Sequence, residues 1–111
     1  LDSASLKLFK DLPDMLKCWY MKHLNAKITG SVQGVFFRAE AKKKAKQLGL
    51  AGFIRNEADG SVYIEVEGEE SLIADLMKWC QDGGPELASV EHVNHEYEEG
   101  LKNFEDFSIR A

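Results

Sequence analysis

The chain has 111 residues, a mass of 12.5 kDa and a formal net charge of −5, a length that holds one domain and little else. Its 44% hydrophobic and 30% charged content suits a compact fold rather than a disordered segment. The acidic balance argues against a general nucleic-acid binder, which carries a basic excess, and no apolar run nears the roughly 20 residues that cross a bilayer.

Residues 1–20 differ in character from the rest. Leu6, Phe9 and Leu16 sketch an amphipathic helix, but Pro13 interrupts it. The charged start, apolar middle and small-residue cleavage site of a signal peptide are missing here, so the expected location is cytoplasmic. Met21 reads as the natural start, with residues 1–20 an N-terminal extension from an expression vector or upstream reading frame and residues 21–111 the domain.

From Met21 the pattern is clean. Leu24, Ala26 and Ile28 alternate with polar partners, the period of a half-buried strand. Gly30 and Gly34 bracket a loop. Residues 37–48 predict a helix with Phe37, Ala41, Ala45 and Leu48 on its buried stripe, and Gly49 predicts its stop. Residues 50–56 form a second strand, and Glu57-Ala58-Asp59-Gly60 its turn. Val62, Ile64 and Val66 then alternate with Ser61, Tyr63, Glu65 and Glu67, which predicts a hairpin partner with the acids facing out. Ser71 is the expected N-cap of a second helix, with Leu72, Ile73, Leu76, Met77 and Cys80 buried and Gly83-Gly84-Pro85 at its end. A fourth strand lies near 90–97, and a short fifth falls within 104–109. This βαββαβ order fits an α+β, ferredoxin-like sandwich: a mainly antiparallel sheet with both helices on one face. That plan carries many unrelated activities, so function has to be read from a site.

Charge is unevenly spread. Met21 to Arg55 holds eight basic residues against Glu40 alone, a net of +7, whereas Asn56 to Ala111 carries a net of −12. A local basic patch on an acidic chain attracts a small anion without making the molecule sticky for nucleic acid. Cys18 and Cys80 stand 62 positions apart, and His23, His92 and His95 add no cluster with metal-ligand spacing. His92 and His95 point to opposite faces of their strand. Packing and surface roles are expected for all five residues, with no metal, no thiol chemistry and no cofactor.

Two segments carry chemistry. The run ITGSVQGVFFR at 28–38 ends a strand, turns through a glycine loop and opens a helix. Successive backbone N–H groups in such a turn, with the free donors of the helix start, converge on one anion. Arg38 sits where its planar guanidinium could reach the same anion through two parallel bonds. The second run, GFIRNEADGSV at 52–62, puts Asn56 at a strand end, where plain turn chemistry also explains an asparagine.

Together these segments resemble the acylphosphatase family. Residues 28–38 agree with its first signature at every defined position, and residues 52–68 match the second through Asn56, Gly60, Val62 and Gly68. Ile54 departs from that pattern, standing where the family usually has a smaller residue. The resemblance covers essentially all of 21–111. It implies metal-independent hydrolysis of a small-molecule acyl phosphate to a carboxylate and inorganic phosphate by a monomer that uses neither nucleic acid nor a membrane. It further implies that the amides of Gly34, Val35, Phe36, Phe37 and Arg38 cradle the phosphate, that the Arg38 guanidinium completes the cradle, and that Asn56 orients the attacking water. Phe37 would then place its ring in the core beneath the loop. The alternative is a non-catalytic ferredoxin-like module binding a small anion or nucleic acid. Tyr63 is a candidate for base stacking, but Glu65 and Glu67 beside it would repel a phosphate backbone.

Overall fold

The computed structural model describes residues 21–110; the expected N-terminal extension and Cys18 lie outside them. The elements run β1 (Met21–Ser31), α1 (Phe37–Gln47), β2 (Ala51–Asn56), β3 (Val62–Glu69), α2 (Glu70–Gln81), β4 (Ser89–Glu98) and β5 (Phe107–Arg110). The five strands form one sheet in the order β4-β1-β3-β2-β5. Every pairing is antiparallel except β2 with β5, which is parallel. The α+β, ferredoxin-like βαββαβ plan with an added edge strand is therefore the fold of this chain.

Alternation decides which face of the sheet is covered. Leu24, Ala26 and Ile28 of β1 and Val62, Ile64 and Val66 of β3 all point to one side, where they form a single core with Phe37, Ala41 and Ala45 of α1 and Leu72, Ile73 and Leu76 of α2. Burying a side chain of this size contributes roughly 1.5–3 kcal/mol, so the two helices are held mainly by their apolar stripes. The α1 stripe runs Phe37, Ala41, Ala45 with the lysines outside. Gly49 ends that helix with a positive φ of 70°. Its N–H donates to Lys46 O at 3.0 Å, and the Leu50 N–H donates to Ala45 O at 2.9 Å. Those two bonds satisfy carbonyls the helix leaves open, an arrangement that favours glycine.

Two expectations are corrected. Ser71 is not the cap of the second helix: β3 runs straight into α2, whose cap position is Glu69 with no side-chain cap hydrogen bond. The Ser71 hydroxyl instead donates to Glu69 Oε1 at 2.6 Å. Nor do Glu65 and Glu67 face solvent, since they are only 7% and 1% exposed. The segment 99–106 crosses the helix-free face of the sheet above them. The Phe104 N–H donates to Glu67 Oε1 at 3.2 Å, and the Lys102 N–H donates to Glu67 Oε2.

Candidate active site

β1 ends at Ser31, and the loop that follows carries the first signature. Gly34 has a φ of 74° and Phe36 a φ of 63°, both in the left-handed region. For Phe36 that backbone costs about 1–3 kcal/mol, a strain that concentrates at functional sites. Its ring is 71% exposed, so packing of the side chain does not repay it. Directly beneath, Phe37 is 1% exposed and packs its ring against Trp79 at a centroid distance of 5.6 Å. A Cβ on Gly84 would come within 2.6 Å of Phe37 Cε2. The loop therefore rests on a rigid floor.

The turn leaves donors free. The first bond of α1 runs from the Glu40 N–H to Phe36 O at 3.0 Å, so the amides of Phe37, Arg38 and Ala39 precede any intrahelical partner. Gly34, Phe36, Phe37 and Arg38 line a cleft of about 330 Å³, joined by Val32, Ala39 and Ile109. Val35 turns away and packs against the core. Arg38 is half-buried, and its guanidinium makes no hydrogen bond or ion pair among the described residues. An unpartnered guanidinium at an open cleft, on a chain of net charge −5, is a ready receptor for an anion.

Asn56 closes β2 opposite Val62. Its Oδ1 is buried and without a hydrogen-bond partner among the described residues, a condition that costs about 1–3 kcal/mol. The turn that follows is organised without it. Asp59 Oδ1 accepts the Ser61 N–H at 3.0 Å and the Ser61 hydroxyl at 2.5 Å, while Lys27 Nζ bonds Asp59 Oδ2 at 2.5 Å. The Lys27 bond, followed by those from Ser61, holds the Asp59 carboxyl well below the usual carboxylate range.

Gln33 joins the two signatures. Its Nε2 donates to Glu57 O at 2.8 Å and to Ser61 O at 2.9 Å, fastening the glycine loop to the turn after Asn56. β5 lies against β2 on the other side, pairing Ile54 with Ile109 and so bringing Ile109 into the cleft. Asn56 itself does not line that cleft, and no hydrogen bond joins it to Arg38 among the described residues. Val32, Ala39 and Ile109 were missed in the sequence, although Val32 lies within the first signature and Ala39 follows Arg38 directly. A wider cleft of about 630 Å³ lies at the far end of β1, lined by His23, Tyr97 and Glu98 among others.

Comparison with known proteins agrees with this architecture. The acylphosphatase family model matches residues 24–109. The chain is 47% identical over 79 residues to an acylphosphatase of Nocardioides sp., covering 69% of this chain and 79% of that protein. It is 39% identical over 89 residues to one from Salinibacter ruber, covering 80% and 93%. Among solved structures, the acylphosphatase of Coxiella burnetii superposes with a TM-score of 0.80 at 35% identity, covering 85% of this chain and 97% of that one. The matched span includes both signature segments, the loop at 28–38 and the asparagine hairpin at 52–62, and the chain belongs to the acylphosphatase family.

Proposed function

We propose that this chain hydrolyses acyl phosphates to a carboxylate and inorganic phosphate, holding the phosphoryl group with the amides of Gly34, Val35, Phe36, Phe37 and Arg38 together with the Arg38 guanidinium. Asn56 orients the attacking water. The observation that carries this reading is the unpartnered, half-buried Arg38 in the same cleft as the left-handed loop. The unpartnered Oδ1 of Asn56, next to the turn that Gln33 fastens to that loop, supports the second role.

The chemistry asks little more. Water oxygen bonds to phosphorus as the bond between phosphorus and the acyl oxygen breaks, and the carboxylate leaves with the electron pair. Its conjugate acid has a pKa of about 4, so it departs unprotonated and needs no general acid. One water proton stays on the new phosphate oxygen and the other passes to a second phosphate oxygen, which yields dihydrogen phosphate. Phosphoryl transfer of this kind rests on positioning and on stabilising charge at the phosphoryl oxygens. A guanidinium, fixed amides and one water-orienting side chain supply both.

The test is phosphate release from acetyl phosphate beside a phosphate monoester control, with Arg38→Ala as the variant. The parent protein should release phosphate from the acyl phosphate alone. A charge-assisted contact is worth about 1.5–3 kcal/mol, so Arg38→Ala should weaken phosphate binding by roughly tenfold or more and lower turnover as well. Turnover of the monoester at a comparable rate, or a folded Arg38→Ala protein with parental phosphate affinity, would overturn the proposal. Phosphate binding by the parent without any hydrolysis would favour the non-catalytic module.

A further inference from the structure

The most concentrated polar cluster lies away from the phosphate loop, on the helix-free face at the opening end of β1. His23 pairs directly with Glu67 of β3 on one side and Glu98 of β4 on the other. Its ring is buried to 1% exposure and stacks on Phe104 at 6.0 Å. Nδ1 lies 2.6 Å from Glu67 Oε2. Glu67 has no freedom to move, because it also accepts the Lys102 and Phe104 amides. Nε2 is hydrogen-bonded to Glu65 Oε1 at 2.9 Å, a contact an ion seated there would replace, and faces Glu98 Oε2 at 3.7 Å.

We propose that His23 Nε2, Glu65 and Glu98 form a binding site for a divalent transition metal of the zinc class. Three observations converge. A histidine that ligates such a metal donates its other ring N–H to a carboxylate, which sets the tautomer and aims the free nitrogen at the ion; Glu67 stands in that position. The donor atoms of His23, Glu65 and Glu98 all lie within 4.8 Å of one another. A tetrahedral zinc with bonds of about 2.0–2.1 Å sets its ligands about 3.4 Å apart, a value bracketed by the distances from Nε2 to the two carboxylates, 2.9 and 3.7 Å. Finally, the Lys102 ammonium already sits at the edge of this cluster, bonded to Glu65 Oε1 at 2.5 Å.

Lys102 marks the place where positive charge is wanted. Its side chain is 55% exposed, so it can swing into solvent when a metal takes over Glu65. The cleft of about 630 Å³ beside His23 and Glu98 provides the path of entry and room for a water as fourth ligand. One imidazole and two carboxylates suit zinc, copper and nickel better than calcium or magnesium. Bound there, the ion would tie β1, β3 and β4 together at the end of the sheet remote from Arg38.

The experiment is calorimetric titration of the chelator-treated protein with zinc chloride, repeated with cobalt to read the ligand-field absorption of a four-coordinate site. Thermal melting is followed with and without zinc. Saturable binding of one ion per chain, a tetrahedral cobalt spectrum and a raised Tm are expected. Glu98→Gln, at a half-exposed position, should fold normally and weaken zinc at least tenfold. Lys102→Met should tighten it several-fold by removing the competing ammonium. Acyl phosphate hydrolysis should be unchanged in both variants, which keeps this test independent of the catalytic reading. No saturable zinc binding by the parent protein, or an affinity unaltered by Glu98→Gln, overturns the assignment.

Discussion

Replacing Asn56 with alanine tests whether this side chain serves the reaction or the turn, because the two roles give free-energy changes of opposite tendency. If Asn56 held the hairpin by a side-chain bond, its loss would destabilise the protein by about 0.5–2 kcal/mol, as lost caps do. In the structure the turn is held by Asp59, Ser61 and Lys27, and Asn56 Oδ1 is buried with no partner among the described residues. Alanine removes an acceptor whose burial costs about 1–3 kcal/mol. Against that stands the lost packing of a half-buried side chain, of the order of 1 kcal/mol. The net change should lie between zero and about 2 kcal/mol in favour of the mutant, so Tm should hold or rise by several degrees, at about 4–8 °C per kcal/mol for a domain of this size. Turnover should fall by about 100-fold or more, since misplacing the attacking group costs that much. Phosphate affinity should stay within a few-fold, because Arg38 and the loop amides hold the anion. The assay combines calorimetric Tm, phosphate Kd by titration and the rate of phosphate release. A drop in Tm near 10 °C, or a folded variant hydrolysing at the parental rate, would refute the water-orienting role and restore the turn.

Inorganic phosphate should inhibit competitively, since product and substrate share the Gly34–Arg38 loop, and excess chelator should leave the rate unchanged; noncompetitive inhibition or loss of activity with the chelator would contradict the proposed mechanism. Phe37→Ala should cost about 3–5 kcal/mol, because its ring is 1% exposed and seated against Trp79; a denaturation midpoint equivalent to less than 1 kcal/mol of loss would mean that the loop's floor is not the packed layer described. Burial pushes the Cys80 thiol from 9.0 up to about 12, so the folded protein keeps it neutral while the unfolded chain ionises it. That stabilisation is complete below pH 9 and declines through the window from 9.0 to about 12. Melting curves should accordingly show the advantage of the parent over Cys80→Ala shrinking above pH 9, and a constant difference would count against the buried thiol.

Periodicity made the covered face of the sheet legible before any coordinates. Leu24, Ala26 and Ile28, then Val62, Ile64 and Val66, repeat every second residue, and the α1 stripe from Phe37 to Ala45 repeats every fourth. These are local properties of the chain, fixed by the direction in which successive side chains leave a strand or a helix. The glycine loop, Arg38 and Asn56 stood out for a different reason: the two contiguous runs at 28–38 and 52–68 resemble the signatures of the acylphosphatase family. Alternation could not tell what lies over the opposite face. Glu65 and Glu67 read as solvated because nothing near them in sequence covers them, yet residues 99–106 fold across and bury both beside His23. The same limit hid Ile109, which reaches the Arg38 cleft only because β5 pairs in parallel with β2. Ser71 failed as a cap since the sheet carries β3 directly into α2 and leaves no free turn for it to close. Direction along an element is written residue by residue. Contacts between segments dozens of residues apart depend on the closed sheet, and only the tertiary structure decides them.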